Sequence, residues 1–214
     1  GAPGPESIPI DETTPRAPIN PYGRSKAAFE DALRDYAAAR KNENRPFAWA
    51  ALRYFNVAGC DRSGLIGEFR DPETRIVSIA LQAALGLREH VSVMGTDYDT
   101  PDGTAVRDFV HVEDLVEAHL LTLDALDPDK HGQRLYNLGL GRGFSVREVI
   151  DAWARVTGRE IPVMAGARRP GDAPVLMASA DKARRELGWA PRVTDLDEII
   201  ASAWAWMRRH PRGY

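Results

Sequence analysis

The stretch Pro21-Tyr22-Gly23-Arg24-Ser25-Lys26 puts a phenol and an ammonium four positions apart, at the start of an amphipathic run that extends to about Arg40. Residues i and i+4 of a helix stand one turn apart on the same face, so Tyr22 and Lys26 project side by side. That pairing suits proton transfer. A phenol ordinarily titrates near 10, and a neighbouring ammonium favours the phenolate. A Tyr tuned in this way can take a proton from an alcohol or sugar hydroxyl at neutral pH. Ordinary helix-surface residues of the same two types account for the spacing equally well. With six Tyr and four Lys among 214 residues, chance supplies such a pair about 0.1 times.

Other residue types narrow the chemistry by exclusion. The histidines at 90, 111, 119, 131 and 210 lack the spacing of a zinc site, and the chain has one cysteine, Cys60. His111 opens a helical run and reads as a structural cap or core residue. No Gly-x-Ser-x-Gly elbow is present for a nucleophilic serine. Gly139-Leu140-Gly141-Arg142-Gly143 follows a strand pattern and precedes a helical one, but its strict two-residue spacing is not the G-x-G-x-x-G of a dinucleotide cradle. Glu160, about twenty positions on, is not at a strand end, so the segment reads as a tight strand-to-helix turn. Arg107-Asp108 and Arg168-Arg169-Pro170-Gly171-Asp172 are more suggestive. Guanidinium groups match phosphate oxygens two at a time, and an Arg followed by an Asp can hold a diphosphate and a ribose hydroxyl together. Most Arg-Asp neighbours are only surface pairs.

Composition sets the frame. Hydrophobic residues at 43% and charged residues at 28% describe a water-soluble globular chain with room for one good core, or for one and a half domains sharing a cleft. A net charge of −3 argues against a general nucleic-acid binder. One cysteine permits no internal disulfide, no apolar run is long enough to span a bilayer, and no signal peptide is visible, so the expected location is the cytoplasm.

The elements that must position these residues alternate. Residues 1–20 hold five Pro and two Gly and read as a loop. The Tyr22 helix should pack through Phe29, Leu33, Tyr36 and Ala37, with Glu30, Asp31, Arg34 and Asp35 largely opposite. Phe47 to Phe55 reads as a strand buried on both faces, and Asn56 to Pro72 as a long loop forming a cleft wall. A helix over 75–86, a strand over Val91–Met94, a turn over Asp97–Thr104, a strand over Val106–Val110 and a helix over Val112–Leu126 follow. Then come a strand at Leu135–Leu138, a helix capped by Ser145, a strand over Ile161–Ala165, and helices near 180–187 and 195–209. The alternation predicts an α/β fold.

Taken together the motifs become specific. Ala17-Pro18-x-x-Pro21-Tyr22-Gly23-x-Ser25-Lys26, Ala51-Leu52-Arg53-Tyr54-Phe55-Asn56-Val57-Ala58-Gly59, and Asp97-Tyr98-x-Thr100-x-Asp102-Gly103-Thr104 belong to one set. So do Val106-Arg107-Asp108-Phe109-Val110-His111-Val112-x-Asp114-Leu115, Tyr136-Asn137-Leu138-Gly139, Arg168 to Asp172, and Leu187-Gly188-Trp189-x-Pro191. From about residue 8 onward the chain resembles the extended short-chain dehydrogenase/reductases, and among them the UDP-glucose 4-epimerases.

The resemblance implies the remnant of a Rossmann-type parallel sheet plus a smaller mixed α/β substrate-binding domain. Residues 1–56 and 109–140 would belong to the NAD-binding domain, and residues 57–108 and 141–214 to the UDP-sugar-binding domain. The implied activity is isomerisation: UDP-glucose and UDP-galactose interconvert through a 4-keto intermediate, as in galactose metabolism. Tyr22 would be the base at the sugar O4, with Lys26 lowering its pKa and holding the nicotinamide ribose. Tyr54 would contact NAD, while Asn56, Arg107, Arg169 and Asp172 would hold the UDP portion.

The sequence departs from the family pattern in several places. Arg75-Ile76 stands where an Asn-Leu or His-Leu step is common, Met94 stands where an aromatic residue often stacks on uracil, and Leu176 falls at a position that influences tolerance of an N-acetyl group. The family's Gly-rich NAD loop, its first five strands and its catalytic Ser or Thr have no counterpart here. The resemblance therefore implies a C-terminal portion that is inactive alone, from a protein that pairs as a homodimer through helices including that of Tyr22. Another nucleotide-sugar epimerase, dehydratase or decarboxylase, or a non-catalytic nucleotide-sugar-binding module, shares much of this pattern.

Overall fold

In the computed structural model, which describes residues 7–127 and 129–213, strands and helices alternate as expected. The first helix, α1 (Pro21–Asn42), starts where local chemistry requires it: the Asn20 side chain accepts a hydrogen bond from Gly23 N at 2.8 Å, and Pro21 occupies the first turn, where its missing N–H costs nothing. β1 (Ala48–Tyr54) pairs in parallel with β5 (Gly132–Leu138), from Ala48 opposite Gly132 to Tyr54 opposite Leu138. Between them in sequence lie β2 (Asn56–Ala58), α2 (Ile76–Ala84), β3 (Val91–Met94), β4 (Val106–His111) and α3 (Val112–Asp124). After β5 come β6 (Gly143–Ser145), α4 (Val146–Thr157), β7 (Val163–Gly166), β8 (Val175–Leu176), α5 (Asp181–Leu187) and α6 (Leu196–Arg209).

A second sheet is mixed. β4 pairs in parallel with β2 and β8 and antiparallel with β6, and a third sheet joins β3 and β7 in parallel. Two cores result. One gathers α2, α4 and α6 around Leu81, Trp153, Ile199 and Trp206; the other sets α3 and α5 against Tyr136, Leu138 and Trp189.

Several buried polar groups with satisfied hydrogen bonds tie these layers together. Asp108 is fully buried and accepts N–H bonds from Leu140 (2.7 Å), Gly141 (3.0 Å) and Ala178 (3.1 Å), which binds β4 to the turns beyond β5 and β8. Asp114 does the same for the approach to α6, accepting from Arg192 N and Val193 N. Ser145 and Glu148 form a capping box at α4, and Ser145 Oγ donates to Asp102 at 2.5 Å, fastening the Asp97–Thr104 turn.

His111 is the joint of β4, α3 and α6. Its Nδ1 accepts from Glu113 N and its Nε2 lies 3.1 Å from Ser202 Oγ. That hydroxyl donates to Ile199 O, so Nε2 carries the imidazole proton and the ring is neutral. Gly59 makes room for it: at φ +84°, a Cβ there would lie 2.4 Å from His111 Cδ2.

Several expectations are corrected. Only part of the apolar stripe of α1 faces inward: Leu33 and Ala37 are half-buried, Phe29 and Tyr36 are exposed, and the one buried residue is Glu30. Glu30 is drawn in by Arg53, whose Nε and Nη2 donate to its two carboxylate oxygens at 2.7 and 2.6 Å, with Arg16 and Arg34 alongside. β1 is not buried on both faces: only Trp49 is buried, because β5 is its one strand partner among the described residues. Asn56–Ala58 is a strand rather than the start of a loop, and β6 and β8 were not anticipated. The reading of His111 as cap and core residue and of Ser145 as a cap matches the structure.

Two stability outcomes follow. Burial pushes the Glu30 carboxyl up, but the Arg53 hydrogen bonds and the charges of Arg53, Arg16 and Arg34 outweigh it and hold the group below its usual range. Removing it in Glu30→Ala leaves Arg53 half-buried without its partner and costs about 1–3 kcal/mol in urea unfolding. Burial lowers the His111 pKa, against the opposing pull of Glu113 and Asp114. The unfolded chain therefore takes up a proton below about pH 6.5 that the folded chain refuses, so this stability is present above that pH and is lost as pH falls. The unfolding midpoint should drop between about pH 7.5 and about pH 5.5 in the unmodified chain, and drop less in His111→Gln.

Candidate active site

The carboxyl end of β1, the first half of β4 and the amino end of α2 open onto a cleft of about 670 Å³. Eight of the nine residues expected to touch cofactor or substrate line it: Tyr22, Tyr54, Asn56, Arg75, Met94, Arg107, Arg169 and Asp172. The ninth, Lys26, stands behind Tyr22 with its Nζ 5.2 Å from the centre of the phenol ring. Tyr22 is 72% exposed, so the pair sits on the rim. Asn20 connects that rim to the loop that carries Arg169 and Asp172: while Oδ1 caps α1, Nδ2 reaches Gly171 O at 3.5 Å.

The arginines differ in how they are held. Arg107, half-buried on β4, donates to Asp172 Oδ1 at 2.7 Å and to the carbonyls of Val106 and Pro174, which aims it into the cleft. Arg75 precedes α2 as its N-cap, offers that helix no side-chain bond, and pairs with Glu68. Arg169 is exposed and has no ion pair among the described residues. Arg168, its neighbour, is spent elsewhere, donating to Asp97 at 2.7 Å and lying 4.4 Å from the centre of the Tyr98 ring. These guanidinium groups, with the first-turn N–H groups of α2, form a site suited to a diphosphate.

Asp108 is corrected as a candidate ligand group. Alternation along β4 sends it away from Arg107 into the interior, where burial pushes its carboxyl above the usual range although three backbone N–H groups and Arg184 pull it down. Leu176 is half-buried in β8 opposite Arg107 and is not part of the cleft lining. Cys60 lines the cleft, but burial raises its pKa, so it stays a thiol.

Glu68, Glu73 and Arg88 also line the cleft and were missed from the sequence. Glu73 had a signal: an acidic residue just before a helix start often satisfies free N–H groups, and its Oε1 accepts from Thr74 N and Arg75 N at 2.7 and 2.8 Å. Glu68 and Arg88 had none.

The residues present fit one end of a nicotinamide dinucleotide. Tyr22, Lys26 and Tyr54 can face a nicotinamide ribose at the rim. The Gly139–Gly143 turn is closed to phosphate because Asp108 already occupies the Leu140 and Gly141 N–H groups and crowds Gly139, where a Cβ would meet its Oδ2 at 2.5 Å. No metal-binding cluster of His, Cys, Asp and Glu occurs among the described residues, and no helix among them is long and apolar enough to cross a membrane.

Comparison with known proteins places the fold among relatives. The family model for GDP-mannose 4,6 dehydratase matches residues 3–203. A UDP-glucose 4-epimerase of Streptococcus mutans is 48% identical over 98% of this chain and 61% of its own length. The solved UDP-glucose 4-epimerase of Bifidobacterium longum, in complex with NAD+ and UDP, superposes with a TM-score of 0.90 at 42% identity, over 97% of this chain and 60% of that one. The enzyme from Stenotrophomonas maltophila, with bound NAD and formylated UDP-arabinopyranose, gives a TM-score of 0.87 at 40% identity, over 96% and 60%. The chain thus spans about three fifths of the length of the relatives it matches. With the motifs, the fold and a family match running almost end to end, the chain belongs to the GDP-mannose 4,6-dehydratase family of the extended short-chain dehydrogenase/reductases, and what it shares most fully is a portion of the UDP-glucose 4-epimerases.

Proposed function

We propose that this chain carries the UDP-sugar site and the proton-transfer residues of a UDP-glucose 4-epimerase, an isomerase that inverts C4 between UDP-glucose and UDP-galactose in galactose metabolism. The observation that carries this reading is that Tyr22, on the rim, and Arg107, Arg169 and Asp172 line a single cleft. One ligand can therefore meet a base and a diphosphate clamp together.

In this reading Arg107 and Arg169 take the diphosphate oxygens, Asp172 a ribose hydroxyl, and Met94 the face of the uracil. Asn56 and Arg75 contact the sugar and phosphate between them. Tyr22 accepts the proton of the sugar O4 hydroxyl as C4 is oxidised and returns it after reduction, with the Lys26 ammonium beside its ring. NAD, when bound, supplies the hydride acceptor and donor at C4. The described residues meet only the nicotinamide-ribose end of that cofactor, through Tyr22, Lys26 and Tyr54, so the 214-residue chain does not turn over alone. Residues 1–56 and 109–140 belong with the cofactor side of the protein and 57–108 and 141–214 with the substrate side. The exposed Phe29 and Tyr36 on α1 and Leu120 and Leu123 on α3 fit a protein that pairs as a homodimer in the cytoplasm.

Titration calorimetry with UDP tests the reading. Saturable binding is expected for the unmodified chain, weakened about tenfold by Arg169→Gln, since a charged hydrogen bond contributes about 1.5–3 kcal/mol. No heat of binding, or equal affinity in the variant, would contradict it. Incubation of the chain with NAD and UDP-glucose should yield no UDP-galactose. Measurable conversion would show that the cofactor finds a cradle elsewhere in these residues.

A further inference from the structure

The charges facing the cleft are unevenly engaged. Four arginines line it (Arg75, Arg88, Arg107 and Arg169) against three carboxylates, Glu68, Glu73 and Asp172. Asp172 braces Arg107, which two backbone carbonyls also hold in place. Glu73 spends Oε1 on the N–H groups of Thr74 and Arg75. Arg88 reaches Gln82 Oε1 at 3.2 Å and Glu73 O at 3.5 Å.

Glu68 differs from the other two carboxylates. Its carboxylate pairs with the half-exposed Arg75 guanidinium, and among the described residues it makes no other ion pair. The pair also stands where the cleft adjoins a second, largely apolar hollow of about 480 Å³, walled by Val57, Ile66, Val112 and Val116, and both Glu68 and Arg75 line that hollow too. Apolar surroundings on one side strengthen the attraction between the two side chains relative to a pair open to water on every side.

We propose that Glu68 is a built-in competitor for the ligand diphosphate: it holds the Arg75 guanidinium, and a bound nucleotide diphosphate must draw that group away or share it. The inference rests on the UDP-sugar reading of the cleft. Its direction follows from charge. Seven ionised side chains sum to +1, and neutralising Glu68 raises that to +2 in a site that must attract an anion. A carboxylate that merely oriented Arg75 toward the ligand would have the opposite signature, because its removal would loosen the guanidinium and weaken binding. Glu68 thereby tunes affinity downward for phosphate-bearing ligands, and it is neutral toward a nucleoside without phosphate.

Calorimetric titrations of the 214-residue chain with UDP and with uridine, at fixed pH and salt, separate these outcomes. Glu68→Gln keeps the shape of the side chain, and matched thermal melts establish that each variant is folded. The expected result is UDP bound about two- to fivefold more tightly by Glu68→Gln, the range set by a partly exposed ion pair. Uridine affinity stays unchanged, and the gain is absent when Glu68→Gln is added to Arg75→Gln. Equal or weaker UDP binding in Glu68→Gln, or the same gain without Arg75, overturns the inference and leaves the UDP-sugar reading standing. No saturable UDP binding by the unmodified chain overturns both.

Discussion

The two-pronged contact between Glu30 and Arg53 holds the account together. α1 offers β1 little apolar surface, since Phe29 and Tyr36 point outward and Glu30 is its one buried residue. What docks the helix is therefore a charged group reaching into the sheet, met by a guanidinium from β1 in a geometry that fixes rotation as well as distance. Both partners lie close to chemistry in sequence: Glu30 is one turn beyond Lys26, and Arg53 immediately precedes Tyr54. A directional pair in this place sets where the rim residues stand relative to the strand end, which a slippery apolar contact would do less well.

The wall bearing Arg107 is set by different means. β4 is pinned through Asp108, whose three N–H partners lie on two separate turns, so Arg107 emerges from a strand that also pairs with β2, β6 and β8. The loop bearing Arg169 and Asp172 is fastened to β4 by the Arg107–Asp172 bond and to the cap of α1 by Asn20. A buried carboxylate, a strand-to-loop ion pair and a helix cap thus bring together residues from positions 22, 107, 169 and 172. The cleft is built at the meeting of the parallel pair, the mixed sheet and α2, and no single element contains it.

How much of this could be read in advance depended on the range of the interaction. The Tyr22–Lys26 juxtaposition follows from helical spacing alone, and the caps at Asn20 and Ser145 are local signals of the same kind. The grouping of Arg107 with Asp172, 65 residues apart, has no local signature and came from the family pattern. Strands of two or three residues such as β2, β6 and β8 carry no periodicity, so they went unseen. The burial of Glu30 on α1 was missed for a physical reason: an apolar stripe normally marks the buried side, and the pull of Arg53 on Glu30 turns the helix partly away from it. Glu68 was invisible because its significance lies in a partner across a loop, and a lone acidic residue after a glycine says nothing about that.

The structure of this chain bound to UDP-glucose tests the central claim most directly. The account predicts the diphosphate between Arg107 and Arg169, the uracil beside Met94, and the sugar directed to the rim, with its O4 within hydrogen-bond reach of the Tyr22 hydroxyl. A ligand held by those arginines with its sugar facing away from Tyr22, or a ligand bound outside this cleft, would contradict it.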